Sequence, residues 1–349
     1  MTDNILFWCA EVSVIKHLTK SFFEGQEGLY ENFNNEHTFK LYNPDNYHAK
    51  NYMRVSSVGF GRFLTVRGSL RKWYLGENSI GDTLNDFTHE YEDAIKLLLS
   101  LLGIKYSKAK HLNIARIEIG INVEVSEKCS EVLHRFVGYR SVHYEPALRK
   151  SYKKFESKGL NITMYNKVLE ISKDFRKKKI KTEEQKRFLK ENEGRDILRI
   201  EFTAKGGHTK IKNRLGIGTI SESVTYFGLL YIFFWDSLQD IQFTDMYCNE
   251  PILDAKGKTQ KEILDFVKLY GIFMLGEERI KEMVDESKNP RNTRQVIKRL
   301  QNNTKARYGS YSKESLMKDV KRQLVLSMQK SGWLHLAKEG LSLSPKVSI

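Results

Sequence analysis

Hydrophobic and polar residues alternate in three segments of the chain, and this pattern predicts three β-strands. The segments are residues 114–122, 161–170 and 197–203. Because successive side chains of a strand point to opposite faces, each strand is expected to have one apolar and one polar face. The polar faces carry, strand by strand, Arg116, Glu118 and Asn122; Tyr165 and Lys167; and Arg199 and Glu201.

Related patterns predict the elements around these strands. Two more extended segments are expected at residues 5–15 and 54–67, followed by a glycine-rich loop at residues 68–81. Apolar residues at helical spacing predict helices at residues 84–102 and 126–136, the second with Ser126 as its N-cap, and residues 174–192 are charged and helix-prone. Beyond Gly218 the pattern predicts only helices, at residues 221–238, 258–275, 277–285, 292–302 and 313–330.

Strands interleaved with helices predict an α+β fold, with a mainly antiparallel sheet, helices on one face and an open face for a ligand. A helical C-terminal region follows. The change of character near Gly216 and Gly218 predicts a catalytic domain at residues 1–216 and a helical accessory domain at residues 217–349. Arginines and lysines between residues 291 and 299 could make the second domain a DNA-binding module, and a plain packing bundle would show the same pattern.

The charge of the chain favours a polyanionic partner. The 349 residues carry a formal net charge of +15, and the segment 140–214 holds 22 Lys or Arg residues against 10 Asp or Glu residues. Basic charge around two of the polar strands predicts nucleic acid as the partner. Three widely spaced cysteines argue for reduced thiols in a cytoplasm, and neither a signal peptide nor a membrane span is expected.

The polar side chains of the three strands have the composition of a phosphodiester-cleaving site. Tyr165 is a poor nucleophile unless a cation such as Lys167 or a bound metal stabilises the phenolate. Glu118 and Glu201 offer the hard oxygen ligands that Mg²⁺ or Mn²⁺ prefers. The other interpretation is structural, because Arg-x-Glu pairs on strands are commonly cross-strand ion pairs.

In order, these segments resemble the replication initiators of filamentous bacteriophages, the gene II protein family, and related phage and plasmid rolling-circle proteins. The resemblance lies in short matches spread over most of the chain. They are Gly68-Ser69-Leu70-Arg71-Lys72 followed by Gly76-Glu77-Asn78 and Gly81, Ala115-Arg116-Ile117-Glu118, Tyr165 with Lys167 and Glu170, Leu198-Arg199-Ile200-Glu201, and the basic segment 212–217.

The resemblance implies a site-specific DNA endonuclease and ligase that starts rolling-circle replication in a bacterial cytoplasm, alongside host helicase and polymerase. Tyr165 would then be the nucleophile that keeps the 5′-phosphate, Lys167 would stabilise the transition state, and Glu118 and Glu201 would hold the metal. The residues expected to contact DNA are Arg116, Arg199, Arg71, Lys72, Lys153, Lys154, Lys212 and Arg214.

Three features depart from the family pattern and leave alternatives open. Glu118 stands where the family has an aspartate and is one methylene longer. Glu77 stands where the family has a histidine, and the chain has no His-x-His pair for a metal, so an isolated histidine such as His111, His143 or His208 could supply a ligand. Tyr144 and Tyr152 are the alternative nucleophiles. The rival functions are a plasmid mobilisation relaxase, a catalytically silent DNA-binding protein or repressor, and a protein that binds a host factor through a structural basic surface.

Overall fold

The computed structural model describes residues 2–26, 29–33, 35–49, 51–76, 87–139, 142–143, 152–157, 159–176, 183–243, 259–260, 264, 282–296 and 313–330. Twelve strands lie in these ranges: β1 (Thr2–Cys9), β2 (Tyr30–Phe33), β3 (Asn35–Tyr42), β4 (Tyr52–Val58), β5 (Phe63–Ser69), β6 (Asn113–Glu124), β7 (Phe136–Tyr139), β8 (Val142–His143), β9 (Tyr152–Ser157), β10 (Leu160–Asn166), β11 (Ile197–Lys205) and β12 (Ile241–Phe243).

The helices of the described residues are α1 (Val12–Ile15), α2 (Lys20–Glu24), α3 (Leu70–Leu75), α4 (Phe87–Leu101), α5 (Cys129–His134), α6 (Lys167–Arg176), α7 (Glu183–Glu191), α8 (His208–Leu215), α9 (Ile220–Thr225), α10 (Gly228–Gln239) and α11 (Lys313–Lys330). Two 3₁₀ segments lie at Pro44–Ala49 and Tyr106–His111. Residues 282–285 and 290–296 are also helical.

The architecture is α+β, as the sequence predicts. Nine strands form one sheet in the order β2-β3-β4-β5-β1-β6-β11-β10-β9, and every neighbouring pair is antiparallel. A second sheet holds three strands in the order β12-β7-β8. The first strand of the chain thus lies in the middle of the large sheet, where it pairs with β5 on one side and β6 on the other and so joins the two halves of the sheet.

The two faces of the large sheet differ in chemistry. One face is apolar and fully buried, with Ile117, Ile119 and Ile121 on β6 opposite Ala204, Phe202 and Ile200 on β11. Side chains from α3, α4, α5, α8, α9, α10 and α11 belong to the same hydrophobic core. We call the opposite face the polar face; it carries, among others, Trp8, Arg54, Arg67, Arg116, Glu118, Tyr165, Arg199 and Glu201.

Helices on both sides of the predicted domain boundary enter this core. Ile211 and Leu215 of α8 precede it, and Phe234 of α10 and Leu324 of α11 follow it; all four are buried in the same cluster. The division at residues 216 and 217 stays a prediction. The core that covers the apolar face of the sheet is nevertheless built from residues on both sides of it.

Three predicted elements have different bounds in the structure. The first strand ends at Cys9 rather than residue 15, because the chain turns into α1 and buries Val14 and Ile15 by a helical turn. The extended segment 54–67 is a hairpin of β4 and β5, and a β-carbon at Gly61 would meet the Ile15 carbonyl at 2.9 Å, a close approach that requires glycine. The start of the predicted glycine-rich loop is α3, capped by the Ser69 hydroxyl, which accepts the Lys72 backbone N–H.

Two predicted helices have different bounds in the structure. The helix predicted from Ser126 begins at Cys129, whose backbone N–H is donated to the Asp196 carboxylate. The helix predicted at residues 221–238 is divided into α9 and α10. The helix at 313–330 has the predicted bounds. Most of the helices predicted between residues 258 and 302 lie outside the described residues.

Candidate active site on the polar face

Strand register brings three of the predicted site residues together on the polar face. Tyr165 of β10 lies directly opposite Arg199 of β11, and Glu201 lies two residues further along β11 on the same face. Antiparallel pairing places such opposite residues within about 5.5 Å at their β-carbons. The predicted tyrosine, arginine and glutamate are therefore immediate neighbours.

A hydrogen-bond network joins these three side chains. The Tyr165 hydroxyl donates to the Glu201 carboxylate at 2.9 Å, and the same oxygen, Oε1, accepts Nε–H of Arg199 at 2.9 Å. The Arg199 guanidinium also donates to Oδ1 of Asn122, at 3.3 Å. Arg199 is 3% exposed, so its charge acts on Tyr165 and Glu201 with little screening by water.

Gly120 makes room for this network. It lies opposite Glu201, and a β-carbon built on it would meet Nη2 of Arg199 at 2.8 Å and Cγ of Glu201 at 2.9 Å. An isolated glycine inside a strand marks such a close approach. The sequence therefore carried a signal for this position in the run Ile117–Ile121, although Gly120 was not among the predicted site residues.

The surroundings of Tyr165 keep its phenol protonated. Burial raises its pKa well above the ordinary value; Arg199 lowers it, and Glu201 and Glu170 raise it further. A phenol in this state is a hydrogen-bond donor rather than a nucleophile. Attack would require transfer of the proton to Glu201, which already accepts it in a hydrogen bond, and stabilisation of the phenolate by the adjacent guanidinium.

Lys167 lies on a helix, not on the strand where the alternation predicted it. β10 ends at Asn166, whose side-chain oxygen accepts the Leu169 backbone N–H, and Lys167 is the first residue of α6. Its ammonium still lies over the Tyr165 ring, 5.7 Å from the ring centroid, and pairs with Glu170 at 2.7 Å. Burial lowers the pKa of Lys167, Glu170 raises it, and the nearby charges of Arg199 and Lys72 lower it.

Glu118 belongs to a neighbouring cluster. It is 7% exposed, and its carboxylate accepts hydrogen bonds from Asn4 at 2.7 Å, Thr203 at 3.3 Å and Arg116 at 3.5 Å. Thr203 lies opposite it on β11, so Glu118 is a diagonal neighbour of Glu201. Such diagonal pairs are about 7–8 Å apart. The two predicted metal ligands thus share one region of the polar face, while Tyr165 bonds directly to only one of them.

Glu118 and its neighbours carry the type of oxygen ligand that binds a hard cation. The carboxylate, the Asn4 side-chain amide and the Thr203 hydroxyl are all oxygen-bearing groups of the type that Mg²⁺ and Mn²⁺ prefer. Among the described residues there is no group of three or more His, Cys, Asp or Glu side chains suited to a metal ion. Glu118 and Glu201 would therefore need neutral oxygen ligands or water to complete a site.

Tyr152, one of the alternative nucleophiles, is next to Tyr165. The two residues are opposite each other on β9 and β10, and their rings are stacked with centroids 6.4 Å apart. Tyr144, the other alternative, lies outside the described residues. Of the three isolated histidines, His208 is on α8 near Gly218 and His111 is in a 3₁₀ segment, while the side chain of His143 is outside the described part of the chain.

The residues predicted to contact DNA divide between the two faces. Arg116, Arg199 and Lys154 are on the polar face. Lys72 lies close enough to Lys167 for its charge to lower the pKa of that residue. Lys153 alternates to the helix-covered face, where its buried ammonium donates to the Phe136 carbonyl at 2.9 Å. Arg71 is buried in α3. Lys212 pairs with Glu222, and Arg214 lines a cavity of about 420 Å³ beside α10.

Comparison with known proteins adds no family to this picture. Neither the protein-family models nor the curated proteins contain a match to the chain. The structure contains no helix, among the residues it describes, with the length and apolarity needed to cross a membrane. The geometry of the polar face is therefore what supports a functional proposal.

Proposed function

We propose that this protein is a tyrosine transesterase that nicks and rejoins one strand of DNA, acting as a rolling-circle replication initiator in a bacterial cytoplasm. The observation that carries the proposal is the Tyr165–Glu201–Arg199 network on the polar face, with the Lys167 ammonium beside the phenol. It combines a hydrogen-bonded nucleophile, proton acceptor and guanidinium with a second cation over the ring of the nucleophile. The freed 3′-hydroxyl would prime synthesis by host polymerase and helicase.

In the cleavage step the Tyr165 hydroxyl oxygen attacks phosphorus and the bond from phosphorus to the 3′-oxygen breaks. The phenol proton passes to Glu201, and the departing 3′-oxygen takes a proton from the Lys167 ammonium, whose pKa is lowered by burial. Arg199 offsets the charge that develops on the phosphate. The 5′-phosphate remains bound to Tyr165, so the reverse reaction rejoins the strand.

The proposal includes a divalent cation, Mg²⁺ or Mn²⁺, for which Glu118 and Glu201 are the carboxylate ligands. When bound, it would supply a Lewis-acid charge at the scissile phosphate. Asn4 and Thr203, which donate hydrogen bonds to Glu118, are neutral oxygen-bearing residues that would complete its ligand set.

One observation favours a second function. Glu201 bonds to both Arg199 and Tyr165, as it would in a purely structural network. A catalytically silent protein that binds DNA on the same face would have this arrangement too. The silent protein differs from the transesterase in one measurable property: it binds DNA without forming a covalent bond to it.

Adduct formation separates these functions. The covalent half of a cleaved strand carries the 3′ end, so a pool of random single-stranded oligonucleotides is labelled at the 3′ end and incubated with protein and Mn²⁺. A labelled band that survives denaturing electrophoresis is expected for the native protein and for Tyr152→Phe, and none for Tyr165→Phe. Glu201→Gln should reduce the yield by about 10²-fold or more. An undiminished adduct with Tyr165→Phe would assign the nucleophile to another residue, and DNA binding without any adduct would favour the silent protein.

A further inference from the structure

A line of cations crosses the polar face at right angles to the strands. The register pairs Lys40 with Arg54, Arg54 with Arg67, Arg67 with Leu6, Leu6 with Arg116, and Arg116 with Lys205. Five of the six residues in this line are basic. We call Lys40, Arg54, Arg67, Arg116 and Lys205 the cationic row. With neighbouring strands about 4.8 Å apart, it spans about 24 Å over the six strands from β3 to β11.

Like charges directly opposite each other destabilise a sheet. Arg54 and Arg67 are such a pair, and Lys40 lies opposite Arg54 on its other side. Acidic residues touch the row at Lys40, which pairs with Glu31 at 2.9 Å, and at Arg116, whose guanidinium is 3.5 Å from Glu118. Glu156 also lies near the row, because the pKa of its carboxyl is lowered by a hydrogen bond from Lys154 and further by the charge of Lys205. The five positive charges of the row therefore outnumber the negative charges of these acidic neighbours. Selection for stability alone does not favour such an excess.

Aromatic side chains flank the cationic row on both sides. On one side of the row, Trp8 lies two residues beyond Leu6 along β1. Its ring stacks on that of Phe63, with centroids 5.7 Å apart and planes inclined by 20°. Phe63 is 37% exposed. In the other direction lie Tyr42 and Tyr52, with ring centroids 5.9 Å apart. Cations that follow a backbone, with aromatic rings at their sides for bases, are the features of surfaces that bind single-stranded nucleic acid.

We propose that the cationic row and its flanking aromatic residues form the track that holds single-stranded DNA on its way to Tyr165. The phosphates would follow the row, and bases would stack on Trp8 and Phe63. Arg116, the member of the row on β6, is six residues from Asn122, which is in line with Arg199 and Tyr165; the separation along the strand is about 20 Å. A few nucleotides would cover this distance. The track rests on the proposed function only for the choice of DNA as the nucleic acid.

Binding can be measured without cleavage, which separates this proposal from the catalytic one. Fluorescence anisotropy with a labelled mixed-sequence oligonucleotide in EDTA compares the native protein with Arg54→Gln/Arg67→Gln. The matched control is Lys108→Gln/Lys110→Gln, which removes the same charge from exposed residues of the 3₁₀ segment Tyr106–His111. The row variant should bind on the order of tenfold more weakly at 0.1 M salt and lower the salt slope of log K by about 1.4, since each single-strand phosphate contact contributes about 0.7.

Two further readouts exclude a structural explanation. The melting temperature of Arg54→Gln/Arg67→Gln should stay within a few degrees of the native value, because removal of the repulsion between the two arginines offsets the loss of the other contacts of Arg54. Trp8→Ala should weaken oligonucleotide binding about tenfold through loss of base stacking. The proposal is overturned if the row and control variants bind alike, if the row variant melts earlier with unchanged affinity, or if duplex DNA or acidic lipid vesicles compete as well as single strands. If the native protein forms an adduct at Tyr165 and the row variant binds DNA as tightly as the native protein, the track is wrong and the catalytic proposal stands. If the row variant binds more weakly and the native protein forms no adduct, the track stands and the catalytic proposal is wrong.

Discussion

At Gly120 the absence of a side chain decides what its neighbours can do. The Arg199 guanidinium and the Glu201 side chain fill the space where a β-carbon would stand. Glu201 accepts the Tyr165 hydroxyl from this position, and Arg199 donates to the same Glu201 oxygen. Sequence alternation is enough to put Tyr165, Arg199 and Glu201 on polar faces, because the period of a strand is two residues. It could not identify Glu201 as the partner of Tyr165, since that depends on the register between β10 and β11.

Gly120→Ala should therefore separate site geometry from fold. The new methyl group would push Arg199 and Glu201 apart, and we expect adduct formation to fall by about tenfold or more while the loss of stability stays near 1–3 kcal/mol. The measurement is the adduct yield at a temperature where urea titration shows the variant to be folded. Gly138→Ala is the control, because its β-carbon would meet Gln242 in the small sheet. Equal loss of adduct in both variants would contradict the role of Gly120.

At the scale of elements, the ends of helices were the hardest features to predict. The N-terminus of α5 is capped by Asp196, which is 67 residues away from Cys129 in sequence, so no local motif could have located it. Lys167 continued the alternation of β10 in sequence but begins α6, because Asn166 supplies a side-chain oxygen to the Leu169 N–H and starts a helix there. Helix α9, by contrast, carries its own local signal, a capping box formed by Thr219 and Glu222.

This capping box gives a pH-dependent stability. Burial alone would raise the pKa of Glu222, but hydrogen bonds from the backbone of Gly218 and Thr219 and from Lys212 lower it below its ordinary value of 4.5. A depressed folded-state pKa means that the contribution is present above about 4.5 and is lost as the pH falls through the lower, folded value. Glu222→Gln should cost about 1 kcal/mol at neutral pH.

Urea titrations at several pH values test this expectation. The difference between the native protein and Glu222→Gln should shrink as the pH falls below 4.5. Glu183→Gln on α7, where an exposed glutamate pairs only with Lys186 among the contacts described, is the control and should change stability by less than about 0.5 kcal/mol. A difference that stays constant or grows in acid would show that Glu222 does not stabilise α9 through its charge.

At the scale of the whole molecule, the sequence predicted the fold class but not the order of the strands. β1 packs between β5 and β6, a placement that depends on pairing between distant segments rather than on any local pattern. The same strand order aligns Arg67, Leu6 and Arg116, so the cationic row exists only in the assembled sheet. Side chains after Gly216, such as Phe234 and Leu324, complete the core beneath the apolar face.

A chain truncated after Gly216 should therefore fail to fold cooperatively. The truncation deletes the apolar side chains that α9, α10 and α11 contribute to the core. Each large one contributes about 1.5–3 kcal/mol of stability, and the free energy of unfolding of a domain is only about 5–15 kcal/mol. Near-ultraviolet circular dichroism and thermal melting provide the measurement. Leu324→Ala, which deletes one such side chain, should cost about 2–5 kcal/mol and keep a cooperative transition. A truncated chain that melts as sharply and at the same temperature as the full chain would mean that residues 1–216 form an independent domain.

In the proposed reaction Tyr165 becomes covalently bound to the 5′-phosphate of a DNA strand. Trypsin cuts after Lys and Arg, so it places Tyr165 in the peptide 159–167, Tyr152 in the peptide 151–153 and Tyr144 in the peptide 141–149. Mass spectrometry of the native adduct, after digestion with trypsin and nuclease, assigns the modified residue directly. We expect a nucleotide 5′-phosphate on the peptide 159–167 at Tyr165. The same modification on either of the other two peptides, with the peptide 159–167 unmodified, would contradict this expectation.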